Sequence, residues 1–498
     1  MSHPGRDGCA WEDDDIWGPK PVWKREPSIK GIEDVCRHKL DLPCDALCTV
    51  SFLAQGAFAK VYAVEVHDGL PFPPSYIMRV ILPVDPHHKT KAEVTTMRWV
   101  RDNTNVPVPE VIAFDDSNDN EIGFEWVLME RMPGRPLYYQ WRKLSMAQKT
   151  ALVERVIDFQ EQLRTASTRH GFQTIGNLAP SPESVLTPGR IVDIAFFQAD
   201  RLNYDVPRGP FATSYDWLSA MLEAQRQHYW ETYNTITDKC DSQTYEDDSE
   251  KDGSDVVRAG KEEPRNDKEA DHAAESAVSD EKGSAPEEPE GAEDDDDDDE
   301  YDAAMAWQRL CYTQKFIHLI PKFFGPAAHQ NGEPTIVWHN DLHDRNILVN
   351  DQGEITAILD WECVSCRPFW TTTQYPDFLK GKPWLKDKPK REGYGAYEIE
   401  FAQYDDPDLD FEGVSRIYWE NMMAYERTQL REVYTARMRQ LHPNWDEMME
   451  DSLPKVSFYN AALQVNHWTL QPSGTWLVAV VSGETPDFEE ILWNPETY

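Results

Sequence analysis

The chain has 498 residues, with 89 Asp and Glu against 49 Lys and Arg, for a formal charge of −40. Such a field repels nucleic acid and anionic lipid, so neither is an expected partner, whereas a cationic small molecule is compatible with it. With no apolar run near the ~18 residues that span a bilayer, a polar acidic N-terminus, and eight cysteines too sparse for a disulfide framework, a cytoplasmic protein is expected.

Residues 1–45 are rich in Pro, Trp and acids and lack a sustained period, so they read as an extension that wraps the first lobe or stays mobile. Cys44 and Cys48 have a spacing that zinc can use, as do Cys363 and Cys366, but neither pair has a companion pair, and free thiols are the preferred reading. Residues 50–53, 60–66 and 76–82 are β-branched or aromatic runs separated by turn signals, which predicts an antiparallel sheet. Gly56 sits in the first turn, Ala54-Gln55-Gly56-Ala57-Phe58-Ala59, and Arg79 in the third run. Glu93 follows on the amphipathic segment 91–100. A further apolar strand, 126–129, runs into Glu130-Arg131-Met132-Pro133-Gly134, where Pro and Gly mark a boundary.

Beyond that boundary the pattern turns helical. Ser145 and Gln148 form a capping box ahead of Leu152, Val153, Val156, Ile157, Phe159 and Leu163, a core-facing stripe. A second helical pattern covers 215–233. Between 241 and 302, 27 acidic residues stand against 6 basic ones, including six consecutive aspartates at 294–299. Such a segment buries too little apolar surface to offset its ordering entropy and is expected to be disordered, an insertion in a loop of a helical lobe. Helical pattern resumes at Ala303. The basic stretch 380–391 reads as a solvated loop, and 414–441 as one or two amphipathic helices.

Val337 to Glu362 carries the chemistry. His339, Asp341 and Asn346 stand in an H-x-D-x-x-x-x-N spacing, and Asp360 closes an apolar run nineteen residues after Asp341. Phosphoryl transfer needs a carboxylate beside the attacking hydroxyl and oxygen ligands that hold magnesium across the phosphates. Asp341 fits the first role, Asn346 and Asp360 the second, and His339 that of a brace for the loop. The runs 347–349 and 355–359 flank a turn containing Asn350, Asp351 and Gly353, so a hairpin would bring Asn346 and Asp360 to one end.

The segment resembles the catalytic loop of the aminoglycoside phosphotransferase (APH) family, relatives of choline and fructosamine kinases, in which Asp-Leu-His and Asp-Trp-Glu are common. Here these read Asp341-Leu342-His343 and Asp360-Trp361-Glu362. The resemblance, with Val106-Pro107-Val108-Pro109 as a further match, covers about residues 46–375. It implies a two-lobe, protein-kinase-like α+β fold with a small antiparallel β-sheet N-lobe (46–133) and a larger, mainly helical C-lobe (134–498). It implies ATP and Mg as cofactors and a small-molecule hydroxyl as acceptor.

By the same resemblance Gly56 lies in the phosphate-covering loop, although Ala54 and Ala59 stand where glycines are expected. Arg79 takes the place of the phosphate-pairing lysine, with Glu93 as its partner, and Glu130 and Met132 belong to the hinge that meets adenine through its backbone. Two rivals remain. A protein kinase is disfavoured because no Ala-Pro-Glu-type segment follows Asp360. A non-catalytic nucleotide-binding scaffold draws on Arg79 and the missing glycines.

Overall fold

A computed structural model describes residues 5–12, 18–67, 75–181, 185–250, 295–325, 332–396, 409, 411–465 and 470–493. The N-terminal stretch expected to be an extension is ordered into elements where described. A hairpin of β1 (Cys9–Glu12) and β2 (Lys20–Trp23) precedes helix α1 (Ile29–Lys39), which Ser28 caps by accepting the Gly31 N–H at 3.0 Å. Ile32, Val35 and Cys36 of α1 share one core with Val64, Met78 and Val80, and Trp23 meets Phe124 edge to face at 4.9 Å. The 11-residue helix carries the ion-paired set Lys30, Glu33, Asp34 and Arg37 on the face opposite Ile32, Val35 and Cys36, an amphipathic pattern that the reading of residues 1–45 overlooked.

The β-branched runs form a five-stranded antiparallel sheet in the order β3 (Leu47–Gln55), β4 (Ala59–His67), β5 (Ser75–Ile81), β7 (Glu125–Glu130), β6 (Val111–Asp115). Helix α2 (His88–Asn103) links β5 to β6. Arg79 pairs in register with Val61 and Val127, so it sits on the central strand of the sheet. The entry to α2 has no side-chain cap of its own, because His87 has φ 65° and caps nothing. Glu125 of β7 substitutes: it accepts the His87 N–H at 2.7 Å and the Thr90 hydroxyl.

This makes Glu125 a pH-sensitive support. Burial pushes its carboxyl up to about 7 despite the opposing hydrogen bonds from Thr90 and His87. The folded chain therefore binds this proton more tightly than the unfolded one, and the associated stability is fully present below the ordinary value of 4.5. It is lost as pH rises from there to about 7, on the order of 3 kcal/mol in all. Denaturant midpoints at about pH 5 and about pH 8 should differ less in Glu125→Gln than in the unsubstituted protein. An unchanged difference would contradict this reading.

The second lobe begins at β8 (Arg135–Pro136) and α3 (Met146–His170), whose capping box of Ser145 and Gln148 is formed in both directions. Next come α4 (Ser214–Glu250), α5 (Asp295–Phe323), β9 (Thr335–Trp338), β10 (Ile347–Val349), β11 (Ile355–Ile358) and β12 (Ser365–Pro368). Helices α6 (Arg416–Leu441), α7 (Trp445–Gln464) and α8 (Gln471–Val481) complete the lobe. Leu152, Val153, Val156 and Leu163 of α3 are buried in one core with Ile347, Ile358, Trp361, Leu430 and Tyr434. Residues 414–441 thus hold one helix, α6, rather than two.

The chain divides into two compact units, Met1–His228 with Arg309–Tyr498, and Tyr229–Gln308. Within the second unit the Tyr233 and Trp307 rings lie 5.2 Å apart. Helix α4 continues to Glu250 and α5 starts at Asp295, so the ends of the stretch expected to be disordered, 241–250 and 295–302, are helical. The remainder, 251–294, lies outside the described residues.

The segment expected to form the hinge is tied directly to the β10–β11 hairpin. β8 pairs with β10, Pro136 opposite Leu348, making a three-stranded sheet with β11. Gly134 has φ +109°, and a Cβ there would stand 2.3 Å from Thr356 Oγ1 and 2.9 Å from the Val349 carbonyl, so only glycine lets the two segments approach.

Candidate active site

The turn after β9 carries the loop His339–Arg345, and β10 and β11 bring its ends together. The Leu359 N–H donates to the Asn346 carbonyl at 2.8 Å, which sets Asp360 beside Asn346. The Asn346 side-chain amide donates to the Asp341 carbonyl at 2.9 Å. Asn346 and Asp341 are therefore joined by a backbone-directed hydrogen bond, and Asp360 follows directly on the residue that binds Asn346. Asn346 spends its nitrogen on the loop, so its side-chain oxygen is the group with ligand chemistry.

His339 is buried under this loop. Its Nε2 contacts the Leu359 carbonyl at 2.9 Å, and since a carbonyl only accepts, Nε2 carries the proton. The ring packs edge to face on Trp361 at 4.9 Å, and burial holds it below the usual imidazole range, so it is neutral near pH 7. Asp341, by contrast, is 60% exposed, with Oδ2 3.9 Å from His343 Nε2. His343 Nδ1 accepts the Arg345 N–H at 3.1 Å, so its proton lies on Nε2, the nitrogen nearer Asp341. Desolvation raises the Asp341 carboxyl, and the charges of Asp377 and Asp360 add to this against His343 and His339.

Behind the loop lies a buried charge cluster. Arg79 donates from both terminal nitrogens to Asp360 Oδ1 at 3.1 Å each and from one of them to Glu362, and it lies 3.4 Å from Glu93. The pairing expected with Glu93 is present as a contact, but the shorter bonds go to Asp360 and Glu362. The planar guanidinium explains the difference, since it presents several donors at once and spans carboxylates that a single ammonium cannot. Lys89, on the first turn of α2, also binds Glu362 through Nζ. Two cations thus face three carboxylates. Glu93 is 1% exposed, and burial raises its carboxyl, partly offset by Arg79 and Lys89. Burial also opposes ionisation of Glu362, yet Lys89 and Arg79 hold its carboxyl down to about 2. Arg79 Nε and Glu93 Oε2 have no hydrogen-bond partner among the described residues. Asp360 sits at φ +62°, a left-handed conformation that costs a non-glycine residue about 1 kcal/mol and is held by the Arg79 contact.

The remaining expected positions divide. Gly56 is exposed, its N–H donates to the Ala59 carbonyl at 2.9 Å, and an added Cβ would meet nothing nearer than 4.0 Å, so the turn itself does not demand glycine. Phe58 at the turn packs on Phe197 at 5.5 Å and lies under Lys89, whose Nζ is 5.4 Å from the ring centroid. At the hinge, Glu130 N–H is committed to the Glu110 carbonyl at 2.9 Å, and its side chain turns to Arg101 at 3.9 Å. Met132 is half-buried, and among the described residues neither its N–H nor its carbonyl has a hydrogen-bond partner.

Sequence reasoning overlooked Lys89, Asp377 and Arg345. Lys89 stands four residues before Glu93 on one helix face, a signal that was available. Arg345 lies 3.9 Å over the Tyr138 ring at the loop's outer edge. The stretch 380–391 is exposed at Leu385, and Lys380 pairs with Asp377 at 2.6 Å. Cys44, Cys48, Cys363 and Cys366 are unbonded thiols, and among the described residues no three His, Cys, Asp or Glu side chains converge as metal ligands. No helix among the described residues is long and apolar enough to cross a membrane.

The model of APH, the phosphotransferase enzyme family, matches residues 49–371. A subtelomeric hrmA-associated cluster protein of Aspergillus fumigatus is 27% identical over 174 residues, 33% of this chain and 33% of that protein. The clavilactone A biosynthesis cluster protein Y of Ampulloclitocybe clavipes is 33% identical over 79 residues, 16% of this chain and 19% of its own length. A macrolide 2′-phosphotransferase structure from Brachybacterium faecium is 12% identical, with a TM-score of 0.29 and coverage of 94% of this chain and 98% of that one. The matches span a third or less of the length of these two curated relatives.

Proposed function

The chain belongs to the APH phosphotransferase enzyme family, and from that premise we propose that it transfers the γ-phosphoryl group of ATP to a hydroxyl of a small molecule. The observation that carries this reading is the bond from Asn346 to the Asp341 carbonyl together with the Leu359 to Asn346 bond that sets Asp360 beside it, at one end of the β10–β11 hairpin in front of the Arg79 and Lys89 cations. Asp341 orients the acceptor hydroxyl and takes its proton as the new O–P bond forms and ADP leaves. Its exposure and its raised affinity for a proton suit that role. The Asn346 side-chain oxygen and the Asp360 carboxylate form a hard oxygen donor set that fits magnesium. Magnesium held there would neutralise charge on the phosphates.

Arg79 and Glu93 position the phosphates, Gly56 lies in the loop that covers them, and the Glu130 to Met132 hinge receives adenine through the open backbone of Met132. His339 fixes the loop without touching substrate. At the mouth, Asp341 and Asp377 gather negative charge, which favours a cationic acceptor.

The bonding of Arg79 to Asp360 favours a second reading, a nucleotide-binding protein without turnover. ADP release with ATP, magnesium and a panel of hydroxylated amines and neutral alcohols separates the two. Acceptor-dependent release supports transfer. Tight nucleotide binding with no release above the acceptor-free rate across the panel supports the second reading, and labelled phosphate appearing only on added proteins would point to a protein kinase.

A further inference from the structure

Lys89 is a buried lysine to which the proposed function assigns no role of its own. It is 1% exposed, and its Nζ is bound by Glu362, which is itself 15% exposed. An isolated ammonium is strongly disfavoured in such a place, so its position calls for an anion. The anion it meets is informative. Glu362 Oε2 is shared between Lys89 Nζ and the Arg79 guanidinium, so a single anionic oxygen bridges the two cations. That bridging position is a preformed seat for an oxyanion, with Phe58 of the Gly56 turn against Lys89 on one side.

Exposure rises in order from this seat outward, from Lys89 at 1% through Arg79 at 14% and Asp360 at 28% to Asp341 at 60%. The cations therefore line the inner wall, and the proposed base and acceptor lie at the mouth. A phosphate oxygen matches Glu362 Oε2 in charge and in acceptor geometry, and a point-charge ammonium beside a forked guanidinium suits two neighbouring phosphate oxygens.

We propose that Lys89 is a second phosphate-binding residue, which joins Arg79 on the phosphate oxygens of the nucleotide by exchanging the Glu362 carboxylate for them. This rests on the nucleotide reading above. It places on α2 the compact ammonium that β5 lacks where Arg79 stands, and it makes Glu362 an internal competitor of the nucleotide.

Direct binding of ATP with magnesium, and separately of adenosine, to the full chain and its variants tests the exchange. Lys89→Gln is expected to weaken ATP about 10- to 100-fold, the loss of one charge-assisted contact, with adenosine unchanged and with Lys89→Arg restoring most of the affinity. Glu362→Gln removes the competitor and is expected to tighten ATP several-fold, a gain that a purely structural Lys89 would not produce. Should Lys89→Gln fold poorly, the charge-balanced Lys89→Gln/Glu362→Gln pair is measured against Glu362→Gln and must show the same loss. Unchanged ATP affinity in a folded Lys89→Gln, or equal loss of ATP and adenosine, overturns the inference while leaving the nucleotide site standing. If the unsubstituted chain binds neither ligand, the proposed function fails and the inference with it.

Discussion

Asp341→Asn is expected to lower kcat by about 10²- to 10⁴-fold, the range for a lost general base, while ATP and magnesium bind as before. The substitution keeps size and removes a charge that Asp377 and Asp360 oppose, so stability is held or slightly raised. The carboxylate of Asp341 hangs from a loop whose backbone is fixed by Asn346 and His339, and neither bond uses the Asp341 side chain. A companion expectation concerns pH. Because the Asp341 carboxyl lies above its ordinary 3.8, the acid limb of kcat should lie above that value too, with activity rising as the group ionises, and the limb should vanish in the residual rate of Asp341→Asn. A parallel fall in ATP affinity and kcat would count against the role of base.

Arg79→Met is expected to destabilise the fold by about 3–5 kcal/mol, the cost of breaking a buried ion pair by removing one partner. Three carboxylates, Glu93, Asp360 and Glu362, would then face Lys89 alone. Glu93 has the least recourse, because it is buried and its carboxyl is already raised by desolvation. The folded variant would hold that proton more tightly still. Its deficit should therefore be small below the ordinary Glu value of 4.5 and grow as pH rises above it. Chemical denaturation of the variant and the parent across that range measures both the size and the slope. A deficit independent of pH would mean that lost packing, and not uncompensated charge, is responsible.

The loop proposed to be catalytic was legible because most of its geometry is local. His339, Asp341, Asn346 and Asp360 flank one hairpin, whose turn residues and apolar runs bring them together, while Asp360 is further held by Arg79. The capping box of α3 and the strand carrying Arg79 were legible for the same reason. What was not legible depends on distant partners. Arg79 reaches Asp360 across 281 positions of sequence, and the family resemblance named Glu93 alone as its partner. Glu125 supports a helix that begins before it in the chain, and its neighbours His87 and Thr90 are unremarkable as letters. Helix α1 is amphipathic, with Ile32, Val35 and Cys36 on one face, but spans only 11 residues inside a stretch whose composition masked it, and the helical turns of α4 and α5 run on into acidic sequence whose composition argued against order. Lys89 reads as a surface lysine beside Lys91 until the sheet, the turn at Phe58 and Glu362 close over it.

The most direct test of the account is thermal unfolding with ATP, with and without magnesium, on the parent chain and on Asp360→Ala. A ligand that binds only the folded state stabilises it by about 2.7 kcal/mol at one hundred times its Kd, which is a rise of several degrees in Tm. A rise that requires magnesium in the parent and is lost in Asp360→Ala is the predicted result. A rise that ignores magnesium, or survives the loss of Asp360, would contradict the assignment of Asp360 as a metal ligand, and no rise at all would contradict the nucleotide site itself.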